Sequence, residues 1–77
     1  MNNKEIAKRI GENMKRYRKM TGYTQQKLAE EAGIDRSALS KAENGEYLPT
    51  IGFLLAISRT VKVEISEFFI GVNSLWS

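Results

Sequence analysis

Cysteine and histidine are both absent from this chain of 77 residues. Without cysteine, neither disulfide bonds nor thiolate metal sites can brace the fold. Without histidine, the chain lacks the commonest general base and the commonest metal ligand, which rules out Ser-His-Asp and Cys-His catalysis. A glycine-rich phosphate loop and clustered carboxylates are missing as well. The sequence therefore predicts that the protein is not an enzyme and binds neither a metal nor a cofactor.

Long apolar segments are also missing. No apolar run approaches the roughly 18 residues that span a bilayer, and residues 1–5 (Met-Asn-Asn-Lys-Glu) lack the apolar stretch of a signal peptide. We therefore expect a cytoplasmic protein with no membrane partner. A chain of this length forms one domain. Because it leaves no room for a dedicated ligand domain, we expect no small-molecule ligand.

Positive charge is concentrated near the start of the chain. The formal net charge is +3. Residues 1–20 carry seven basic and two acidic side chains, whereas residues 21–77 carry five basic and seven acidic ones. A cationic segment of this kind favours a polyanionic partner. On charge alone, a solvated basic helix is an equally good interpretation.

Apolar residues recur at helical spacing along most of the chain, and no convincing strand pattern is present. In the first segment Ile6, Ile10, Met14 and Tyr17 share one helical face. Good amino-terminal caps precede the next three segments, namely Thr24, Asp35 and Thr50. The pattern predicts an all-α fold of five helices, at about Lys4–Met20, Gln25–Ala32, Arg36–Glu43, Ile51–Val61 and Ile65–Phe69.

The second and third predicted helices form a helix-turn-helix over about residues 24–44. A tight turn at Gly33 joins them, and Ala29 is small where they must approach closely. Ile34 and Leu39 are the apolar residues that would fix the pair in the core. The third helix then keeps a free polar face at a fixed angle, and such a helix fits a major groove about 12 Å wide.

The polar residues around this unit suit contacts to DNA. The Arg36 guanidinium can bind guanine O6 and N7, and Lys41 can reach further along the groove. Ser37 and Ser40 can donate to base edges or to phosphates. Gln25 starts the second helix, where its side chain and the free backbone amides can bind a phosphate. A second phosphate contact is predicted just after the third helix, from Asn44, Gly45 and Tyr47.

From about Ile10 to Phe69 the sequence resembles the Cro/CI-type (lambda repressor-like, XRE) helix-turn-helix family of phage repressors and small bacterial regulators. The motifs that carry the resemblance are Ile10-Gly11, Arg18-Lys19, Gly22, Thr24-Gln25, Leu28-Ala29, Gly33-Ile34, Leu39-Ser40, Glu43-Asn44-Gly45, Pro49 and Phe68-Phe69. The resemblance implies a five-helix domain that binds a near-palindromic operator in double-stranded DNA as a homodimer. By position, it implies base contacts from Arg36, Ser37 and Lys41, and phosphate contacts from Gln25, Ser40 and Asn44.

The family also often pairs the residues at the positions of Arg18 and Glu43. The sequence supports this pair independently. Arg18 lies beside the apolar face of the first helix, where a partly buried guanidinium needs a carboxylate, and Glu43 is the only acid in the third helix. We expect a structural ion pair that sets the angle of the third helix. Three departures from the family pattern affect local geometry. Lys62 replaces a helix-ending glycine, and Gly52 weakens the first turn of the fourth helix. Ala42 is smaller than the usual branched residue, so another side chain must fill that space.

The end of the chain is unusually apolar. We assign residues 1–69 to the helix-turn-helix domain and residues 70–77 to an apolar carboxyl-terminal tail. A fraying end is the ordinary expectation, but this patch is difficult for a monomer to hide. The tail therefore either covers the core or forms a dimer interface, with four candidate residues: Phe69, Ile70, Leu75 and Trp76.

Together these features predict a sequence-specific transcriptional regulator, with a repressor or autoregulator as the simplest form. The alternative is a protein-interaction module or antitoxin-type partner protein that uses the same fold without reading DNA. The motif keeps Arg36, Lys41 and Gln25, the side chains that suit DNA contact, and this favours the transcriptional regulator over the interaction module.

Overall fold

The computed structural model describes residues 3–73. They form four α-helices and one short 3₁₀ helix: α1 (Asn3–Met20), α2 (Gln25–Ala32), α3 (Arg36–Glu43), α4 (Ile51–Val61) and η1 (Ile65–Phe69). The all-α prediction is confirmed, and α2, α3 and α4 have the predicted bounds. The fifth element corrects the expectation of five α-helices. It has five residues and no side-chain cap, and its bonds run from Glu67 N to Glu64 O and from Ile70 N to Glu67 O, the i to i−3 spacing of a 3₁₀ turn.

Side-chain caps fix where α2, α3 and α4 begin. Thr24 accepts a hydrogen bond from the Lys27 amide at 3.0 Å, and Thr50 accepts one from the Phe53 amide at 3.2 Å. The Asp35 carboxylate caps α3 in the same way. Each cap satisfies an amide that has no partner within its helix. Because the capping residue lies three positions before its donor, these starts are encoded locally.

The core lies where α1 packs on α3 and η1, while α2 packs on α3 and α4. Its largest fully buried side chains come from every element: Phe68, Met14, Leu28, Leu39, Leu54, Ile57 and Asn13. Burial of an apolar side chain of this size stabilises the fold by roughly 1.5–3 kcal/mol. The packing therefore holds the buried face of α3 against α1 and α2 and leaves its polar face outside.

Asn13 ties the end of the described chain to α1. Its buried amide donates to the carbonyl oxygens of Phe68 at 2.8 Å and Ile70 at 2.9 Å. Val72 is buried in the core, so the first part of the predicted tail packs onto the domain. Phe69 and Ile70 are exposed. The other two dimer candidates, Leu75 and Trp76, lie outside the described residues. No helix within residues 3–73 has the length and apolarity that crossing a lipid bilayer requires.

Candidate nucleic-acid interface

The recognition helix of the predicted motif, α3, presents one polar face to solvent. Arg36, Ser37 and Lys41 are exposed, and Ser40 is half-buried. The opposite face consists of Leu39 and the last residues of the helix, which are buried. With eight residues, α3 is about 12 Å long. A helix of this length can lie in a major groove with its exposed face toward the base edges.

A buried ion pair joins α1 to the end of the recognition helix. Arg18 Nε donates to Glu43 Oε2 at 2.7 Å, and Arg18 Nη2 donates to Glu43 Oε1 at 3.0 Å. The remaining guanidinium nitrogen donates to the Tyr23 carbonyl oxygen at 2.8 Å. The Arg18 and Glu43 side chains are 9% and 1% exposed. The structure thus brings together the two residues that the sequence pairs, in a two-pronged geometry that fixes direction as well as distance.

Gln25 contacts the same carboxylate. Its side-chain nitrogen donates to Glu43 Oε1 at 2.9 Å. One N–H of that amide is thereby used, and the second can donate to another acceptor. Sequence reasoning placed Gln25 at a phosphate and missed its bond to Glu43. No local pattern encodes that bond, because the two residues are 18 positions apart and meet only when α2 packs on α3.

The start of the recognition helix has its own hydrogen-bond network. The Asp35 carboxylate accepts from the Ser37 hydroxyl at 2.6 Å and from the Ala38 amide at 3.1 Å. These bonds hold the pKa of Asp35 below its ordinary value of 3.8. The Ser37 hydroxyl hydrogen is committed to Asp35, so the outward chemistry of Ser37 in this arrangement is that of an acceptor. Adenine N6 and cytosine N4 are the major-groove donors that fit it.

Asn44 and Tyr47 follow the recognition helix, and both are exposed. The Tyr47 hydroxyl donates to the Ala38 carbonyl oxygen at 3.0 Å. Burial and, to a smaller extent, the charge of Asp35 raise the pKa of this hydroxyl. A phosphate offers acceptors only, so Tyr47 must release Ala38 before it can donate to one. Asn44 caps the carboxyl end of α3 with its backbone amide, which leaves its side chain at the surface.

One recess collects several of the predicted contact residues. Its volume is about 370 Å³, and it is lined by Gln25, Arg36, Ser37 and Ser40. Lys41 and Tyr47 lie outside this recess.

The dimer candidate Ile70 lines a different recess, together with Arg9, Glu12, Asn13 and Arg16 of α1. The structure therefore does not bring Ile70 to the recognition face. Within residues 3–73, no group of three carboxylates is placed to hold a metal ion.

Gly11 is a structural residue whose role sequence reasoning missed. A Cβ at this position would lie 2.8 Å from the Glu43 carbonyl oxygen and would also clash with the carbonyl oxygen of Ala42. The backbone of α1 therefore rests directly on the carboxyl end of the recognition helix. A signal for this role is present in the sequence, because a lone glycine within a helical pattern usually has a packing reason.

Comparison with protein families identifies the same helix-turn-helix. Residues 14–68 match the family model HTH_3, described as helix-turn-helix. The matched range begins within α1 and ends in η1. It therefore includes the recognition helix, the buried ion pair and the recess.

Two regulators of Bacillus subtilis (strain 168) are similar in sequence. The HTH-type transcriptional regulator SlrR is 43% identical over 61 residues, which is 78% of this chain and 40% of SlrR. The HTH-type transcriptional regulator SinR is 42% identical over 57 residues, which is 73% of this chain and 51% of SinR. The chain thus spans about half the length, or less, of these curated relatives.

Solved structures repeat the fold. The crystal structure of SinR, the master regulator for biofilm formation, in complex with DNA superposes with a TM-score of 0.74 at 38% identity, over 77% of this chain and 95% of that chain. The restriction-modification controller protein C.AhdI from Aeromonas hydrophila superposes with a TM-score of 0.78 at 25% identity, over 82% of this chain and 96% of that chain.

Proposed function

The chain belongs to the helix-turn-helix family HTH_3, and from that premise we propose that it is a sequence-specific DNA-binding transcriptional regulator. The observation that carries the proposal is the exposed polar face of α3, held in place by the buried bridge between Arg18 and Glu43. A relative of similar sequence, SinR, has been crystallised with DNA. A regulator of this kind works in the cytoplasm, where its DNA target lies.

Base readout in this proposal comes from three side chains of the recognition helix. Arg36 donates two hydrogen bonds to guanine O6 and N7, and Lys41 contacts a base further along the groove. Ser37 accepts from a base amine through its free lone pairs while its hydrogen remains on Asp35. Each of the three is exposed and projects from one short helix, so a single docking angle serves all of them.

Phosphate contacts in this proposal fix the position of α3 in the groove. Gln25 donates its second amide hydrogen to a phosphate while the first stays on Glu43. Ser40, which lines the same recess, donates its hydroxyl to the same strand, and Asn44 and Tyr47 contact a phosphate beyond the carboxyl end of α3. These contacts add affinity without sequence preference.

The regulator acts as a homodimer in this proposal. Two copies related by a two-fold axis present their recognition helices to successive turns of the duplex, roughly 34 Å apart. Such an arrangement requires a near-palindromic operator. Phe69 and Ile70, both exposed next to the buried Phe68, are the described apolar residues assigned to the contact between copies. RstR of Vibrio cholerae, a relative 36% identical over 59 residues, is described as a transcriptional repressor, and we propose repression for this chain as well.

Selection of bound duplexes from a random DNA pool tests this function. The full chain should enrich one sequence with two related half-sites about one helical turn apart. Against the selected duplex, Arg36→Ala should lose about 1–3 kcal/mol of discrimination at one base position, whereas Gln25→Ala should weaken binding to all duplexes alike. Equal recovery of all sequences, or recovery of none, would instead favour the protein-interaction module.

A further inference from the structure

A cleft separates the first turns of α1 from the loop that follows the recognition helix. Its volume is about 720 Å³, and its walls are Asn3, Lys4 and Ala7 on one side and residues 44–48 on the other. The loop crosses α1 at very short range, since a Cβ on Gly45 would lie 2.7 Å from the Cα of Lys8. The start of α1 is therefore fixed beside the carboxyl end of α3.

Lys4 is a wall of this cleft. Lys8 meets the loop through its backbone at Gly45, and its side chain lines a neighbouring recess with Glu5, Arg9 and Glu12. Lys4 and Lys8 lie one helical turn apart, both are exposed, and we refer to them as the amino-terminal lysines. Within the described range, neither forms an ion pair, whereas Arg9 pairs with Glu12 at 3.7 Å on the same helix. Since α1 is held against the loop by backbone contact, the backbone positions from which these two side chains extend are fixed relative to the recognition helix.

The amino-terminal lysines lie outside the part of the chain that matches the family. The match begins at residue 14, whereas α1 begins at Asn3. The recess that contains Gln25 and Ser40, the residues proposed to bind phosphates, lies on one side of the recognition helix. The cleft lies beyond its carboxyl end, next to Asn44. A helix seated in the major groove has a sugar-phosphate backbone beyond each end.

We propose that the amino-terminal lysines bind the DNA backbone at the carboxyl end of the recognition helix, which extends the phosphate footprint beyond the helix-turn-helix. This inference rests on the proposed function. Glu46, the acidic residue among the cleft walls, is exposed and opposes the binding of a phosphate. The Lys8 side chain shares its recess with the carboxylates of Glu5 and Glu12, of which Glu12 is paired with Arg9. The phosphate therefore sits on the α1 side of the cleft, at Lys4, with Lys8 one helical turn further along α1.

The salt dependence of DNA binding tests this footprint. The full chain and the double variant Lys4→Gln/Lys8→Gln are titrated with the selected duplex and with a mixed-sequence duplex between 0.05 and about 0.5 M salt. Each lost phosphate contact should lower the slope of log K against log salt by about 0.9, so the double variant should lose about 1.8. At 0.15 M salt this corresponds to affinity weaker by about thirty-fold for both duplexes, with base preference unchanged.

A matched control removes the same charge from another surface. Arg59 and Lys62 are exposed and line a recess formed by α4, η1 and the segment between them, with no residue of α3. Arg59→Gln/Lys62→Gln should leave the slope close to that of the unaltered chain. Glu46→Gln should strengthen binding to both duplexes. Circular dichroism and thermal unfolding establish that every variant is folded.

The outcomes separate this inference from the function on which it rests. If the unaltered chain binds no duplex, the proposed function fails and the lysine footprint fails with it. If the chain binds its selected duplex but Lys4→Gln/Lys8→Gln keeps the original slope, only the footprint is overturned. An equal loss in the control pair at Arg59 and Lys62 would also overturn it, because the effect would then be one of net charge.

Discussion

The backbone of α1 at Gly11 lies against the Glu43 carbonyl oxygen, so close that a Cβ would lie 2.8 Å from it. This contact adds to the side-chain bridge between Arg18 and Glu43. The last residue of the recognition helix is thus held twice by α1, once through its backbone and once through its carboxylate. Its position is set by a rigid helix and not by the loop that follows.

Gly11→Ala should displace the recognition helix. A methyl group at this position meets backbone atoms, which cannot rotate away, and overpacking of this kind costs about 1–3 kcal/mol. We expect a lower free energy of unfolding in urea and weaker binding to the selected duplex. Gly52→Ala is the control, since a Cβ there meets nothing within 4 Å. The close approach would be disproved if Gly11→Ala were as stable as the unaltered chain.

Glu43→Ala should destabilise the fold strongly. The substitution leaves the buried Arg18 guanidinium without its carboxylate, a change that costs about 3–5 kcal/mol. Chemical denaturation measures the loss. The double variant Arg18→Met/Glu43→Leu should recover much of the stability, because no buried charge remains, while DNA binding stays impaired through loss of the bond to Gln25. An unchanged melting temperature in Glu43→Ala would contradict a structural role for the pair.

Asp35 should make the stability of the recognition helix depend on pH. Its folded-state pKa is lowered below 3.8 by hydrogen bonds from Ser37 and Ala38. The contribution of the carboxylate is therefore complete above the unfolded-state pKa and disappears as the pH falls through the folded-state pKa. Asp35→Asn keeps a capping side chain but cannot titrate. Unfolding free energies measured between about pH 5 and pH 2 should fall less steeply for Asp35→Asn, and identical curves would refute this role.

Lys62 ends α4 in a left-handed conformation, with φ 60° and ψ 45°. A side chain with a Cβ is strained in this region by roughly 1–2 kcal/mol, whereas glycine is not. Lys62→Gly should raise the free energy of unfolding by about 0.5–1 kcal/mol, after allowance for the greater freedom of glycine in the unfolded chain. Thermal unfolding provides the measurement. Lys62→Ala retains the Cβ and should show no gain, and an equal gain in both variants would point to charge instead.

The sequence by itself determined where the helices lie. Thr24, Asp35 and Thr50 each cap a helix through a bond to an amide three residues later, so these starts depend on a few neighbouring residues. The partner of Arg18 could also be predicted, because α3 contains a single acid. That η1 is a 3₁₀ helix could not be predicted from the sequence. Over five residues, α-helical and 3₁₀ turns differ only in which carbonyl oxygen each amide bonds to.

Only the tertiary structure decided which distant residues meet. Asn13 bonds to carbonyl groups 55 and 57 positions away, Gln25 shares the carboxylate of Glu43, and Gly45 rests on Lys8. Such contacts leave little local signal, because they depend on the relative placement of whole helices in the packed core. The same placement decided that the predicted contact residues Gln25, Arg36, Ser37 and Ser40 line one recess.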